Sequence, residues 1–253
     1  MSEKQNIALF LSYVGTAYHG WQIQNNGMTV QEAMQDAVRK TTEQSVSLSG
    51  CGRTDAGVHA RVYVCNASLA TSIPCARLPL ALNARLPDDI VVKEARIVPG
   101  RFDSRFSCRK KEYTYTIHNS RVRDPFLLAR ACYFPYPLDF DRVRAAAAEF
   151  VGTHDFAAVQ RKGSPVKTTV RTIYRCEAEK SGDVITVRVC GNGFLYNMVR
   201  AITGTLLYAG LHKLEPGEIA SILASRDRSL AGPTLPAAGL ALTGLWYDEF
   251  TLT

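Results

Sequence analysis

The residues best suited to chemistry lie in one glycine-rich loop. From Gly50 to Ala60 the sequence reads Gly-Cys-Gly-Arg-Thr-Asp-Ala-Gly-Val-His-Ala, which brings a carboxylate (Asp55), a guanidinium (Arg53) and an imidazole (His59) into one short segment. Apolar stretches precede and follow the segment, and loops mounted on rigid strands often carry catalytic groups. An ordinary structural turn is the alternative interpretation of the loop on its own.

Other common catalytic and cofactor signatures are missing from the sequence. It contains no G-x-G-x-x-G, no phosphate-binding G-x-x-x-x-G-K-[ST], no H-E-x-x-H and no G-x-S-x-G. Its five histidines are widely dispersed, and its seven cysteines form no C-x-x-C pair. We therefore expect no cofactor and no metal, and the scattered, odd number of cysteines indicates a reducing, cytoplasmic compartment.

Positive charge is concentrated in the middle of the chain. The whole sequence has 30 basic and 23 acidic residues, a net charge of +7, and the segment 96–130 holds nine basic and three acidic residues, a net of +6. Aromatic residues alternate with these charges at Phe102, Phe106, Tyr113, Tyr115 and Phe126. Such a pattern suits a surface that contacts phosphates and unstacked bases, although a solvated basic face is the simpler alternative.

The hydrophobic pattern predicts the same order of elements twice. In the first half we expect strands over 7–14, 46–48, 62–67 and 90–98, a helix capped by Thr29, and a helix over 75–84. In the second half we expect strands over 112–118, 169–179, 184–189 and 240–247, and helices over 140–151, 194–211 and 216–224. The repetition favours an α+β protein of two ferredoxin-like halves with mainly antiparallel sheets, 1–107 and 108–253, around a central basic cleft.

The predicted helix over 194–211 is apolar enough to raise the question of a membrane span. Arg200 lies in its middle, and a charged residue at the centre of a bilayer costs about 2.5–3.5 kcal/mol. We therefore predict a buried helix and no membrane partner. An always-charged guanidinium on such a helix requires a polar partner.

The glycine-rich loop resembles the G-R-T-D-x-G-V-H signature of the tRNA pseudouridine synthase I family (TruA type), in which the aspartate is catalytic. Further blocks of likeness lie at 13–16, 20–24, 82–83, 86–90, 105–107, 113–115, 123–126, 152–156, 171–173, 193–200 and 231–234. The resemblance implies the pseudouridine-synthase fold, a homodimer, tRNA as substrate and no cofactor. Val14, Asp103 and Tyr196 depart from the residues usual in the family.

The same resemblance implies isomerisation of uridine to pseudouridine at positions 38–40 of the anticodon stem-loop of tRNA. Asp55 would act at C1′, either as a nucleophile or as the base that removes the 2′ proton. Arg200 would pair with Asp55, and Tyr113 would stack on the target base and assist with the C5 proton. The other residues expected to contact the substrate are Arg53, His59, Phe194, Leu240, Arg109, Lys110 and Lys111.

Two functions from other classes stay open as alternatives. A tRNA-binding chaperone without catalysis would need the basic segment but not Asp55 in a glycine-rich loop. A nucleosidase that releases free uracil would use a similar carboxylate, but it would gain little from a segment of net charge +6.

Overall fold

The computed structural model describes residues 3–161 and 166–253 and divides into two compact units. Unit 1 comprises Met1–Arg109 and Leu242–Thr253, and unit 2 comprises Lys110–Ala241. The sequence-based halves were 1–107 and 108–253. The structure differs in returning residues 242–253 to unit 1, because their main strand pairs with a strand of that unit. That the halves are separate folding domains stays a prediction.

Strands and helices alternate along the chain in the way the α+β prediction requires. Before residue 110 the elements are β1 (Gln5–Tyr13), α1 (Val30–Thr42), β2 (Ser49–Gly50), β3 (His59–Leu69), α2 (Leu78–Asn83) and β4 (Ile90–Ile97). After it they are β5 (Lys110–His118), β6 (Cys132–Tyr133), α3 (Phe140–Ala148), β7 (Gly152–Asp155), β8 (Val170–Ser181), β9 (Val184–Gly191), α4 (Met198–Gly210), α5 (Ile219–Ser225), β10 (Leu240–Trp246) and β11 (Thr251–Leu252).

In unit 1 the strands lie in the order β4-β1-β3-β10, and β1 pairs antiparallel with both β3 and β4. The helix predicted after Thr29 is confirmed, because the Thr29 side chain accepts a hydrogen bond from the Glu32 N–H at 3.3 Å, as an N-cap does. Val30, Met34 and Val38 form the buried face of α1. The sheet and this face contribute buried residues to the core of unit 1.

In unit 2 the strands lie in the order β5-β9-β8-β7, antiparallel throughout, and the short β6 pairs parallel with β5. Helices α3 and α4 contact each other, and α3 also contacts β8. Ile202 and Leu206 on α4 are fully buried, together with Phe150 and Phe156. This core fixes the first turn of α4, where Arg200 lies.

Several predicted elements have different bounds in the structure. The strand predicted over 46–48 is wrong, since regular pairing begins only at Ser49–Gly50. The helix predicted over 194–211 begins at Met198, because Asn197 adopts a left-handed conformation with φ of +61°. The helix predicted over 140–151 ends at Ala148. In the part of the chain that the structure describes, no helix is both long enough and apolar enough to cross a membrane.

Candidate active site

Asp55 stands at the first position of a tight turn in unit 1. The Val58 N–H donates to the Asp55 carbonyl oxygen at 3.1 Å, and Gly57 has a φ of +79°. This is the pattern of a type II β-turn, whose third position favours glycine because of that positive φ. The Gly57 N–H also donates to the Tyr18 carbonyl oxygen at 3.1 Å. The carboxylate of Asp55, which is half-buried, therefore projects from a turn with a defined backbone.

Thr54, immediately before the catalytic candidate, is held by both its side chain and its backbone. Its Oγ1 lies 2.9 Å from the Tyr13 hydroxyl, and both side chains are buried. Its carbonyl oxygen accepts a hydrogen bond from the Trp21 N–H at 3.3 Å. Gly20, with φ of +82°, passes so close that an added Cβ would lie 2.2 Å from that carbonyl oxygen. We call these contacts the Thr54 clamp.

A buried aromatic pair supports the beginning of the loop. The Tyr63 hydroxyl donates to the Gly52 carbonyl oxygen at 2.5 Å, and its ring stacks on Trp21 with the centroids 4.2 Å apart. Burial raises the pKa of Tyr63 well above its ordinary value, so this phenol stays a hydrogen-bond donor. Tyr63 and Trp21 are absent from the predicted site because a buried aromatic residue, whether in a strand like Tyr63 or in a loop like Trp21, gives no sequence signal of such a role.

The other two polar residues of the loop differ in their surroundings. His59 begins β3, and its Nδ1 accepts a hydrogen bond from the Gly15 N–H at 2.9 Å. A neutral ring with an accepting Nδ1 carries its proton on Nε2, so the tautomer is fixed by this contact. Arg53 is exposed to solvent.

In unit 2, Arg200 lies in the first turn of α4 with its guanidinium oriented by two neighbours. Its Nε donates to the Leu235 carbonyl oxygen at 2.7 Å, and its Nη1 donates to Asn197 Oδ1 at 2.7 Å. Asn197 is buried, and its type and place suggest an N-cap, yet its side chain makes no capping bond and holds Arg200 instead. The polar partners that this arginine required are therefore present, while the predicted pairing with Asp55 stays a prediction.

Tyr113 and Phe194 form an aromatic pair in unit 2. Tyr113 lies on β5 opposite Val189 of β9, and its ring meets that of Phe194 edge-to-face, with centroids 5.2 Å apart and planes at 89°. Both rings are half-buried, so each keeps some exposed surface. Leu240, at the start of β10, is buried. The structure thus brings Tyr113 and Phe194 together, and their contact with the target base stays a prediction.

Arg109, Lys110 and Lys111, where the chain passes from unit 1 to unit 2, have different surroundings. Arg109 makes a bidentate, exposed ion pair with Asp248, with Nε 3.0 and 3.1 Å from the two carboxylate oxygens. The hydrogen bonds from Arg109 lower the pKa of Asp248. Lys110 and Lys111 are half-buried at the start of β5. Part of the charge of Arg109 is therefore already neutralised within the chain.

Histidine, cysteine and carboxylate side chains are the usual protein ligands of metal ions. Over residues 3–161 and 166–253, no group of three or more of them could hold a metal ion. All seven cysteines are free thiols, and five of them are buried.

Known proteins similar to this chain identify its class of enzyme and its family. A family model described as tRNA pseudouridine synthase matches residues 9–107 and 146–248, which include Asp55 and Arg200 but not Tyr113. The protein is thus an isomerase that acts on uridine in tRNA. The chain belongs to the tRNA pseudouridine synthase family. The resemblance, the fold class and the class of enzyme predicted from the sequence are confirmed.

Individual relatives match almost the whole chain. The tRNA pseudouridine synthase A of Thermoanaerobacter sp. (strain X514) is 45% identical over 243 residues, covering 96% of this chain and 100% of that protein. The tRNA pseudouridine synthase A of Ruminiclostridium cellulolyticum is 45% identical over 244 residues, with the same two coverages. Among solved structures, a Cbf5-Nop10-Gar1 complex aligns with a TM-score of 0.42 at 15% identity, covering 93% of this chain and 48% of that one.

Proposed function

We propose that the chain forms pseudouridine at positions 38–40 of the anticodon stem-loop of tRNA, in the cytoplasm, with Asp55 as the catalytic carboxylate. The observation that carries this proposal is the position of Asp55 at the head of a turn fixed by Gly57 and by the Thr54 clamp. Preorganisation of this kind is what a reacting group needs. The tRNA positions and the compartment come from the family resemblance and the composition.

The reaction needs only groups of the chain and the substrate. The bond between N1 and C1′ of uridine breaks, the base rotates, and C5 joins C1′; C5 loses a proton and N1 gains one, so nothing is oxidised. Asp55 would either attack C1′ or remove the 2′ proton to give a glycal intermediate. Both routes require an ionised carboxylate at the start of the reaction.

Arg200 is proposed to provide the positive charge that keeps Asp55 ionised. In support, Asn197 and Leu235 orient its guanidinium, and an adjacent cation lowers the pKa of a carboxyl group. The pair of Tyr113 and Phe194 is proposed to stack on the target uracil. The remaining proposed substrate contacts are Arg53, His59, Leu240, Arg109, Lys110 and Lys111.

The decisive experiment maps pseudouridine in unmodified tRNA transcripts after incubation with the parent chain and with Asp55→Asn. Because the substitution is isosteric, we expect turnover to vanish while the melting temperature and tRNA affinity hold. Asp88→Asn, an exposed turn carboxylate, is the matched control and should keep full activity. More than a few per cent of parental turnover in Asp55→Asn would remove Asp55 from the mechanism.

The same experiment separates the alternatives. Tight tRNA binding by the parent chain without any pseudouridine would favour a chaperone. Free uracil among the products would reveal a nucleosidase. Tyr113→Phe keeps the ring but loses the hydroxyl, so tRNA binding should survive and turnover should fall; parental turnover would limit Tyr113 to stacking.

A symmetric homodimer is the proposed assembly, with each tRNA contacting both subunits. The family resemblance supports it, and so does the confinement of the net charge to one segment, since a second copy extends the basic surface available to a long polyanion. The test mixes an Asp55→Asn subunit with a subunit in which Arg109, Lys110 and Lys111 are changed to Ala. We expect the mixed dimer to regain activity at one site; no recovery despite proven subunit exchange would exclude shared binding.

A further inference from the structure

A rigid turn at 103–107 presents two exposed side chains at its tip. The Oδ1 of Asp103 accepts hydrogen bonds from the N–H groups of Arg105 and Phe106 at 2.8 and 2.9 Å, and its Oδ2 accepts one from the Ser49 hydroxyl at 2.9 Å. The Ser107 N–H donates to the Asp103 carbonyl oxygen at 2.9 Å, which closes the turn.

Ser104, at the base of the turn, is buried, whereas the residues at the tip of the turn are exposed. Ser104 is fully buried and donates through both its N–H and its hydroxyl to Asn66 Oδ1, at 2.9 and 2.6 Å. Its carbonyl oxygen accepts a hydrogen bond from the Tyr247 hydroxyl at 2.7 Å. Although burial acts to raise the pKa of Asp103, the hydrogen bonds from Phe106, Ser49 and Arg105 lower it below its ordinary value. The anchoring carboxylate is therefore ionised at neutral pH.

The tip carries an exposed aromatic ring next to an exposed cation. Phe106 is 78% exposed, and the Arg105 guanidinium lies 5.4 Å from the centroid of its ring. The charge of Arg105 helps to lower the pKa of Asp103. Within the described ranges 3–161 and 166–253, however, no carboxylate oxygen lies within 4 Å of the Arg105 guanidinium, whereas Arg109 makes an ion pair with Asp248. The turn thus holds an aromatic face and a positive charge side by side in solvent, which is the combination that binds an unstacked base and its phosphate.

We propose that Phe106 and Arg105 form a docking point for an unpaired nucleotide of the substrate tRNA, with the base stacked on the phenyl ring and the adjacent phosphate bound by the guanidinium. The inference rests on the proposed function, and it deepens it by naming a substrate contact outside the reacting base. An aromatic face beside a cation fits unstacked bases of RNA, and the surrounding segment carries a net charge of +6. A protein partner is the other possible occupant, and the experiment distinguishes the two.

The test measures the affinity of the full chain for an unmodified tRNA transcript, together with KM and kcat for pseudouridine formation. Phe106→Ala should weaken affinity and raise KM about tenfold, equivalent to about 1.4 kcal/mol, with kcat unchanged. Phe106→Trp should bind within about twofold of the parent, because it keeps an aromatic face. Phe106→Leu should behave like Phe106→Ala, because it keeps apolar surface but has no π-face.

A matched control and the oligomeric state complete the design. Tyr174→Ala removes an aromatic ring that is 52% exposed on β8, outside the basic segment, and should leave affinity unchanged. Parental affinity in Phe106→Ala, an equal loss in Tyr174→Ala, or full affinity in Phe106→Leu would each overturn the inference. Dissociation of an oligomer by Phe106→Ala would also overturn it, since the ring would then bind protein. If the parent chain neither binds nor modifies tRNA, the proposed function fails instead.

Asp103 acts as a positioning residue in this inference, and its own variants test that role. Asp103→Ala removes the acceptor of both backbone N–H groups, so affinity should fall several-fold although no RNA contact is deleted. Asp103→Asn keeps an accepting oxygen and should restore most of the affinity. Arg105→Ala should lower the slope of log affinity against log salt by about one, the effect of losing one phosphate contact. Unchanged affinity in Asp103→Ala or an unchanged salt slope in Arg105→Ala would contradict the geometry proposed.

Discussion

The Thr54 clamp predicts measurable coupling between two buried hydroxyl groups. Tyr13→Phe and Thr54→Val each delete one partner of the 2.9 Å hydrogen bond while nearly preserving shape. Both residues are buried, so the hydroxyl that stays behind loses this bond in a site with little access to water. Each single variant should cost about 1–2 kcal/mol of unfolding free energy.

The double variant should cost less than the sum of the two single variants. Once both hydroxyls are gone, neither polar group loses a partner, and we expect a coupling energy of about 1 kcal/mol. Urea unfolding of the parent, the two single variants and the double variant measures this cycle. Tyr208→Phe is the control, because the hydroxyl it removes makes no hydrogen bond to any residue within 3–161 and 166–253, and it should be neutral.

The clamp also has a catalytic consequence. Because Thr54 directly precedes Asp55, loosening it should displace the carboxylate, and a small displacement of a reacting group costs rate more than binding. Each single variant should therefore lower kcat with little change in KM for tRNA. Additivity within about 0.3 kcal/mol, or parental kcat in both single variants, would refute the idea that this hydrogen bond positions the loop.

Three further outcomes follow from other contacts. Gly20→Ala should lower both the melting temperature and kcat, because φ is +82° and the new Cβ would lie 2.2 Å from the Thr54 carbonyl oxygen; thermal unfolding and turnover check this. Arg142→Met should cost about 1–3 kcal/mol, or several degrees of melting temperature, because the guanidinium donates to the carbonyl oxygens of Ala209 in the last turn of α4 and of Leu214 beyond it, at 3.0 and 2.9 Å; calorimetry measures it. Burial acts to raise the pKa of Asp155, but its hydrogen bonds and the charge of Arg226 lower the pKa below 3.8 overall. The ionised carboxylate therefore stabilises the folded state fully above pH 3.8, and this stabilisation is lost as the pH falls further. Acid unfolding of the parent and of Asp155→Asn tests this.

The sequence predicted those parts of the fold that depend on interactions between residues close together in the chain. The cap at Thr29 follows from a hydroxyl residue placed before an apolar stripe, and the turn at Asp55 follows from its closely spaced glycines. The start of α4 was placed too early because Phe194 and Leu195 continue the apolar pattern of the helix. The helix begins only after Asn197 because the backbone of Asn197 is left-handed, and the hydrophobic periodicity gives no sign of that conformation.

Contacts between residues far apart in the chain could not be predicted from the sequence. The Thr54 clamp joins residues far apart in the chain, and neither Tyr13 nor Trp21 differs by type from an ordinary core residue. The turn at 103–107 has no signature in the sequence, because its hydrogen bonds to Ser49 and Asn66 depend on tertiary packing. Reactive residues can be recognised in the sequence by their type. The residues that orient them can be recognised only from the structure.

The return of residues 242–253 to unit 1 has a consequence for synthesis on the ribosome. β3 acquires its neighbour β10 only after the whole of unit 2 has been translated. Until then only the two-residue β2 pairs with this edge of β3, and the rest of the edge is a template for aberrant pairing. Unit 2, in contrast, is a continuous segment that can close its own β5-β9-β8-β7 sheet first. Completion of unit 1 is therefore a late, long-range event, and the nascent chain should depend on chaperones most strongly just before β10 emerges.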